Sequence, residues 1–221
     1  MPAIANKKWK RRAKKLAKRG VEIMDPRTAF IDGDAEIGEG TAIYPSVVIE
    51  GRCVIGKNAV IGPFAHLKNA IIGDNCAVRQ SAVFDSAIED GATVGPFAHI
   101  RDGAEIGPGC RIGNFVEIKK SGLAGGVKAA HLAYIGDADV GANVNYGCGA
   151  ITCNYDGKKK HRTAIGEGAF IGSNANLVAP VAIGKNAFVA AGSTITDDVQ
   201  DGALAIARCR QTEKEGYSPK E

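Results

Sequence analysis

The stretch VGPFAHIRDGAEIGPGCRIGNFVEIK, residues 94–119, sets an aliphatic residue at Val94, Ile100, Ile106, Ile112 and Ile118, one every six positions. Small residues stand two positions before Ile100, Ile106 and Ile112, at Ala98, Ala104 and Cys110, and Gly often follows directly, as at Gly107 and Gly113. The beat continues on both sides. Ile37, Ile43, Ile49, Ile55, Ile61 and Leu67 keep it towards the N-terminus, and Ile165, Ile171, Leu177, Ile183, Val189 and Ile195 keep it towards the C-terminus. A period of six fits neither the 3.6-residue helix nor a plain alternating strand, so the unit is a very short strand followed by a turn. The small and aliphatic positions lie two apart and point to the same inner side. Gly and Asn between them supply the turn conformations.

Hexapeptide repeats of this kind build parallel β-helices. Three strands close a triangular coil with a period of about 18 residues, and the region from about 30 to 196 allows roughly nine coils in one solenoid. One-residue slips near Ile72, Val83, Ile88 and Val140 mark corners where the register is adjusted. The beat is lost between Thr152 and Ile165, so residues 153–163 are expected to protrude as a loop. The chain divides into a basic helical leader (1–24), a hexapeptide-repeat domain (25–205) and a C-terminal tail (206–221).

The net charge of +4 hides an asymmetry. Residues 1–19 hold nine Lys or Arg and no acid, leaving 19 basic against 24 acidic residues in the rest. The leader has helix formers and a thin stripe of Trp9, Ala13 and Leu16, which reads as a solvated helix or as an arm for an acidic surface. Nucleic acid is not expected as a partner. No apolar run approaches the length of a membrane span and the leader lacks a signal-peptide core, so a cytoplasmic protein without membrane attachment is expected. Cys53, Cys76 and Cys110 occupy the small inward slot of the repeat, where a thiol serves as a small hydrophobe.

Departures from the beat carry the chemistry. The Gly that often follows the aliphatic is replaced at Ile100-Arg101 and Ile118-Lys119, one full coil apart in unbroken register. The two cations should stack on adjacent coils about 5 Å apart. A phosphate between them would relieve their repulsion; splaying into water, or neutralisation by Glu117, would do so as well. His66 and His99 sit in near-duplicate phrases and read as repeat structure. His131 follows a non-repeating stretch, residues 125–130, one coil beyond Lys119.

The phrases NFVEIKK (114–120), KAAHLAYIGDA (128–138) and residues 145–157, with Gly172-Ser173, Leu177–Val181, Ala190-Ala191-Gly192 and the tail from Ala205, resemble the acetyltransferase half of the bacterial bifunctional enzyme that makes UDP-N-acetylglucosamine. The resemblance covers residues 20–216. It implies a left-handed parallel β-helix, an all-β fold with a short N-terminal basic helix, and transfer of acetyl from acetyl-CoA to the amine of glucosamine 1-phosphate. It implies that His131 is the catalytic base, that Arg101, Lys119, Tyr134 and Asn145 bind the sugar phosphate, and that Cys148, Asn154, Tyr155, Ser173, Ala191 and Arg208 bind acetyl-CoA. It further implies a homotrimer with sites between prisms. No metal is expected, because the magnesium of that enzyme serves its other half. Ser173 and Ala191, 18 apart, should stack along one groove. Lys158, Lys159, Lys160 and Arg162 would draw in the phosphates of CoA or form a solvated loop tip.

Tyr146 and Cys148 stand where that family usually has Ile and Ala, so Tyr146 should place a ring inside the prism. No glycine-rich nucleotide signature precedes the helix, and uridylyl transfer is expected to lie outside this chain. Galactosamine 1-phosphate is an alternative acceptor, and a non-catalytic scaffold an alternative role. A zinc enzyme on the same prism would need closely spaced histidines, whereas His131 and His161 stand far apart in the chain.

Overall fold

The computed structural model describes residues 3–217, with side chains at Trp9 and from residue 11 onward. Strands of two or three residues alternate with turns and wind a parallel β-helix with three faces. Two strands are longer. Arg111–Lys119 and Lys128–Gly136 run unbroken around one corner and so join the first and second faces into a single 19-stranded sheet. The third face is a separate 9-stranded sheet among the described residues. Along the first face Ala42 pairs with Val60, Val60 with Ala77, Ala77 with Thr93, Thr93 with Arg111 and Arg111 with Lys128. The coil length therefore varies from rung to rung, and the slips at Ile72, Val83, Ile88 and Val140 fall where the sequence places them.

The core is one aliphatic residue per strand. Ile43, Ile61, Ile100, Ile106, Ile118 and Ile135 are wholly buried in one continuous column. Each contributes about 1.5–3 kcal/mol by leaving water. Cys53, Cys76 and Cys110 are buried with them, and burial pushes each thiol pKa up. Tyr146 also lies inside, 2% exposed, with its hydroxyl 3.5 Å from the Tyr134 carbonyl oxygen.

Every coil turns at three corners, and most corners use a residue with positive φ. At the corner from the third face to the first, these are Gly40, Asn58, Asn75, Gly91, Gly109, Gly126, Asn143, Gly168, Asn186 and Gly202. They are the two residue types that adopt the left-handed conformation most readily. At the corner from the first face to the second, the same conformation falls on Ser46, Phe64, Gln80, Phe97, Phe115, Leu132, Gly149, Asn174 and Gly192.

The leader is not a free solvated helix. Helix α1 (Ala3–Ala17) closes the first coil: Ala13 and Leu16 are buried, Trp9 packs edge-on against Phe30 at 4.8 Å, and the Arg12 guanidinium donates to the Ala35 carbonyl. It ends in a Schellman motif. Gly20 adopts φ +82°, its N–H donates to Ala17 O, and Val21 N–H donates to Leu16 O. The first strand, Glu22–Ile23, starts inside the segment assigned to the leader, because Glu22 N–H already donates to Thr41 O of the next coil. No helix among the described residues is long and apolar enough to cross a membrane.

Candidate active site

The second face carries the two cations. Arg101 and Lys119 are register partners on adjacent strands, and Gly136 follows Lys119 in the same column. Two positions earlier on the same outer surface runs the column His99, Glu117, Tyr134. Gly136 makes room for the Tyr134 ring: a β-carbon at position 136 would come within 2.6 Å of Tyr134 Cζ. The Tyr134 hydroxyl accepts from Asn154 Nδ2 at 3.4 Å, and the same amide donates to Asp137 Oδ2 at 2.6 Å. Asn154 and Asp137 are both buried, so a loop residue is tied to the cation face through a carboxylate that no period in the sequence marks.

The cations are not left facing each other. Arg101 Nη2 lies 2.6 Å from Glu117 Oε1, Arg101 Nη1 lies 2.8 Å from Asp102 Oδ2, and Lys119 Nζ lies 3.7 Å from that same Asp102 oxygen. Partial burial works against the Arg101 charge, but hydrogen bonding and attraction from Glu117, with Asp102 and Tyr134 adding to it, hold the guanidinium pKa above its ordinary value. Glu117 is the neutraliser foreseen from sequence. Asp102 is an additional one.

His131 stands at the corner between the first and second faces, exposed, beside Asn114 of the previous coil. The N–H of Gly149 donates to Leu132 O and so sets Cys148 beside His131. Asn174 N–H donates to Cys148 O, which brings Ser173 next, and Gly192 N–H donates to Ser173 O, which brings Ala191 after it. His131, Cys148, Ser173 and Ala191 therefore form one ladder of about 14 Å over three rungs. Arg208 approaches the end of it, with its Cδ 3.7 Å from a β-carbon built on Gly192. Only the Ser173–Ala191 step is visible in the sequence.

Other expected site residues lie apart within one protomer. Asn145 is on the first face, paired with Lys128 and Phe170, across the corner from Tyr134. Asn154 and Tyr155 start the protruding loop, at the far end of the second face from the Cys148–Ala191 ladder. The loop closes on itself through a Tyr155–Lys160 bridge and through Asp156, which accepts from the N–H groups of Lys158 and Lys159 and from His161 Nε2. Those backbone bonds, with His161, pull the Asp156 carboxyl down to about 2. Lys158, Lys159 and Lys160 are exposed, but Arg162 is not a loop-tip charge: it is paired with Asp139 and hydrogen-bonded to the Lys120 carbonyl.

A groove of about 820 Å³ lies on the third face, lined by residues such as Glu105, Gly107, Gly141 and Gly184, and none of the expected site residues lines it. The ladder runs along a corner of the prism, with His131, Ser173 and Ala191 exposed. A ridge cannot enclose a substrate alone, so a second wall is required to close such a site.

The repeat and the prism it winds define a hexapeptide-repeat protein. The bacterial transferase hexapeptide (six repeats) description matches residues 34–69, 52–86, 85–120 and 162–197, and the chain belongs to that family. Two relatives are each named bifunctional protein GlmU. The one from Geobacillus sp. (strain WCH70) is 58% identical over 198 residues, 90% of this chain, and the one from Thermotoga maritima is 53% identical over 207 residues, 94% of this chain. The chain spans only 43% and 46% of their lengths. The structure of the UDP-N-acetylglucosamine acyltransferase from Campylobacter jejuni superposes with a TM-score of 0.66 at 19% identity, covering 84% of this chain and 71% of that one, a likeness of fold.

Proposed function

We propose that this chain is an N-acetyltransferase that moves acetyl from acetyl-CoA to the amine of glucosamine 1-phosphate, giving N-acetylglucosamine 1-phosphate and CoA. The observation that carries the reading is the ladder that begins at His131 and climbs past Cys148, Ser173 and Ala191 to Arg208. An extended pantetheine arm lying along these small side chains would bring its thioester to His131. Arg101, Lys119 and Tyr134 hold the phosphosugar on the adjoining face, and Asn145, Asn154 and Tyr155 complete binding from neighbouring chains.

The chemistry is direct transfer. The neutral amine attacks the thioester carbonyl carbon, the C–S bond breaks, His131 takes the proton released from nitrogen, and that proton passes to the departing CoA sulfur. Holding both substrates in line supplies much of the remaining acceleration. No metal takes part in this scheme.

A homotrimer, which the family resemblance implies, would supply the wall that the exposed ladder lacks. The exposed residues Phe64, Phe97, Phe115 and Leu132 form a ridge along the same corner, with Phe97 and Phe115 stacked at 5.6 Å, and a second prism laid on that ridge provides the missing wall. Release of free CoA thiol from acetyl-CoA, with glucosamine 1-phosphate or galactosamine 1-phosphate as acceptor, tests the reading. Thiol release above buffer with the gluco sugar supports it. No release with either sugar, or equal release from His131→Ala, refutes it.

A further inference from the structure

The Arg101–Lys119 pair is neutralised from within the chain. One oxygen, Asp102 Oδ2, faces both cations, 2.8 Å from Arg101 Nη1 and 3.7 Å from Lys119 Nζ. Glu117 takes the other edge of the guanidinium. Two cations and two carboxylates leave no net charge to attract an anion. A dianion binds here with full effect only if one carboxylate gives way.

Asp102 is the one placed to do so. Its side chain is 44% exposed, against 14% for Lys119 and 28% for Arg101, and exposed ion pairs of this kind are weak. It sits at the corner after the strand His99–Arg101, with φ +56°, so its carboxylate reaches the cations from outside the strand rather than from a rung between them. Glu117, by contrast, lies on the strand itself, between His99 and Tyr134. The point where both cations converge is thus held by an oxygen on a movable side chain.

Resting on the reading of Arg101 and Lys119 as a phosphate clamp, we propose that Asp102 is a built-in competitor for the phosphate. Its carboxylate takes the position of one phosphate oxygen when no ligand is bound, and a phosphate monoester displaces it. The competitor sets the affinity of the clamp and weights it towards ligands with two negative charges, since a monoanion gains little over the carboxylate it replaces. It also keeps two stacked cations from repelling each other between turnovers.

Calorimetric titration of the full chain with glucose 1-phosphate, a phosphate monoester without the amine, tests the assignment. Asp102→Asn removes the charge, keeps the shape and suits the left-handed corner, which Asn tolerates. At pH 8, where a monoester is doubly charged, the variant should bind about ten-fold tighter, the effect of deleting one charge near a dianion in mostly aqueous surroundings. At pH 5, below the second ionisation at about 6, the gain should shrink to about three-fold, and high salt should reduce it further. Asp102→Glu, with the charge restored, should bind like the parent. Binding of Asp102→Asn equal to or weaker than that of the parent would overturn the proposal and make Asp102 a brace for the clamp. If neither binds, and Lys119→Ala behaves identically, the clamp reading fails as well; parent binding that is lost in Lys119→Ala preserves the clamp, so that the Asp102 variants then test the competitor alone.

Discussion

The corner from the third face to the first and the corner from the first face to the second make the same left-handed turn, but in the middle coils they make it with opposite kinds of residue. The former uses only Gly and Asn over ten positions from Gly40 to Gly202, while the latter uses Phe64, Gln80, Phe97, Phe115 and Leu132 in its middle coils. A bulky L-residue in that conformation costs roughly 1–2 kcal/mol, which Gly and Asn largely avoid. Since one corner of each coil does without this cost, the winding of the prism does not impose it on the other. The difference lies in what the corners present: His131 stands beside the costly Leu132, while Cys148, Ser173 and Ala191 continue the same corner beside Gly149, Asn174 and Gly192, and the side chains of Phe64, Phe97, Phe115 and Leu132 face outward. One corner only turns the chain, and the other turns it while holding side chains in view.

Five measurements would break or sharpen this contrast. The largest effect is expected at the corner that carries His131: on the proposed function, His131→Ala should lower the acetyl-transfer rate by about 100-fold or more with an unchanged melting temperature. A variant that both melted early and lost activity would place His131 among structural residues instead. Replacing Phe97 and Phe115 together by Asn relieves the backbone but removes the ridge, so sedimentation should show single protomers and transfer should fall more than about ten-fold. An unchanged sedimentation coefficient would dismiss the ridge as an interface. Asp137→Ala cuts the link between Asn154 and Tyr134, and about a five-fold rise in the KM for the phosphosugar is expected, with kcat nearly constant and recovery in Asp137→Asn. Loss of kcat alone would contradict that role.

At the quiet corner the pattern should reverse. Asn58→Val, at φ +52° and far from His131, should lower unfolding stability by about 1–2 kcal/mol in a denaturant titration while leaving transfer intact. The smallest effect concerns the loop. The lowered pKa of Asp156 means its bonds are complete above the ordinary carboxylate value of 3.8 and are lost as pH falls through about 2. Carbon-13 NMR of that carboxyl should titrate near 2, and a midpoint near the ordinary value would show that the loop does not close on Asp156.

Much of the fold was legible because a six-residue beat has few geometric solutions, and its slips mark real changes of register. The Arg101–Lys119 pairing was legible for the same reason, as the two lie one whole coil apart in unbroken phase. The His131 ladder was not: its first step is a short coil and its second a long one, since the protruding loop is inserted between Cys148 and Ser173. Asp102 escaped notice because neighbours in an extended strand point apart, whereas the left-handed corner folds Asp102 back beside Arg101. The Asp137–Asn154–Tyr134 connection joins a corner, a loop and a face, and no period links those three positions. The stripe of Trp9, Ala13 and Leu16 was legible in the leader, but its partners in the α1 cap were not, since no period links the leader to Phe30 or Ala35.

That cap has a consequence for how the molecule behaves in a crowd. The strands Glu22–Ile23, Phe30–Ile31 and Glu36–Ile37 form the first rung, with no earlier strand below them among the described residues. Such a rung is a template on which another chain's last coil would add, and then another, as a fibre grows. With Leu16 buried against the first coil and Arg12 bonded to the Ala35 carbonyl, α1 covers the end on which such a stack would start.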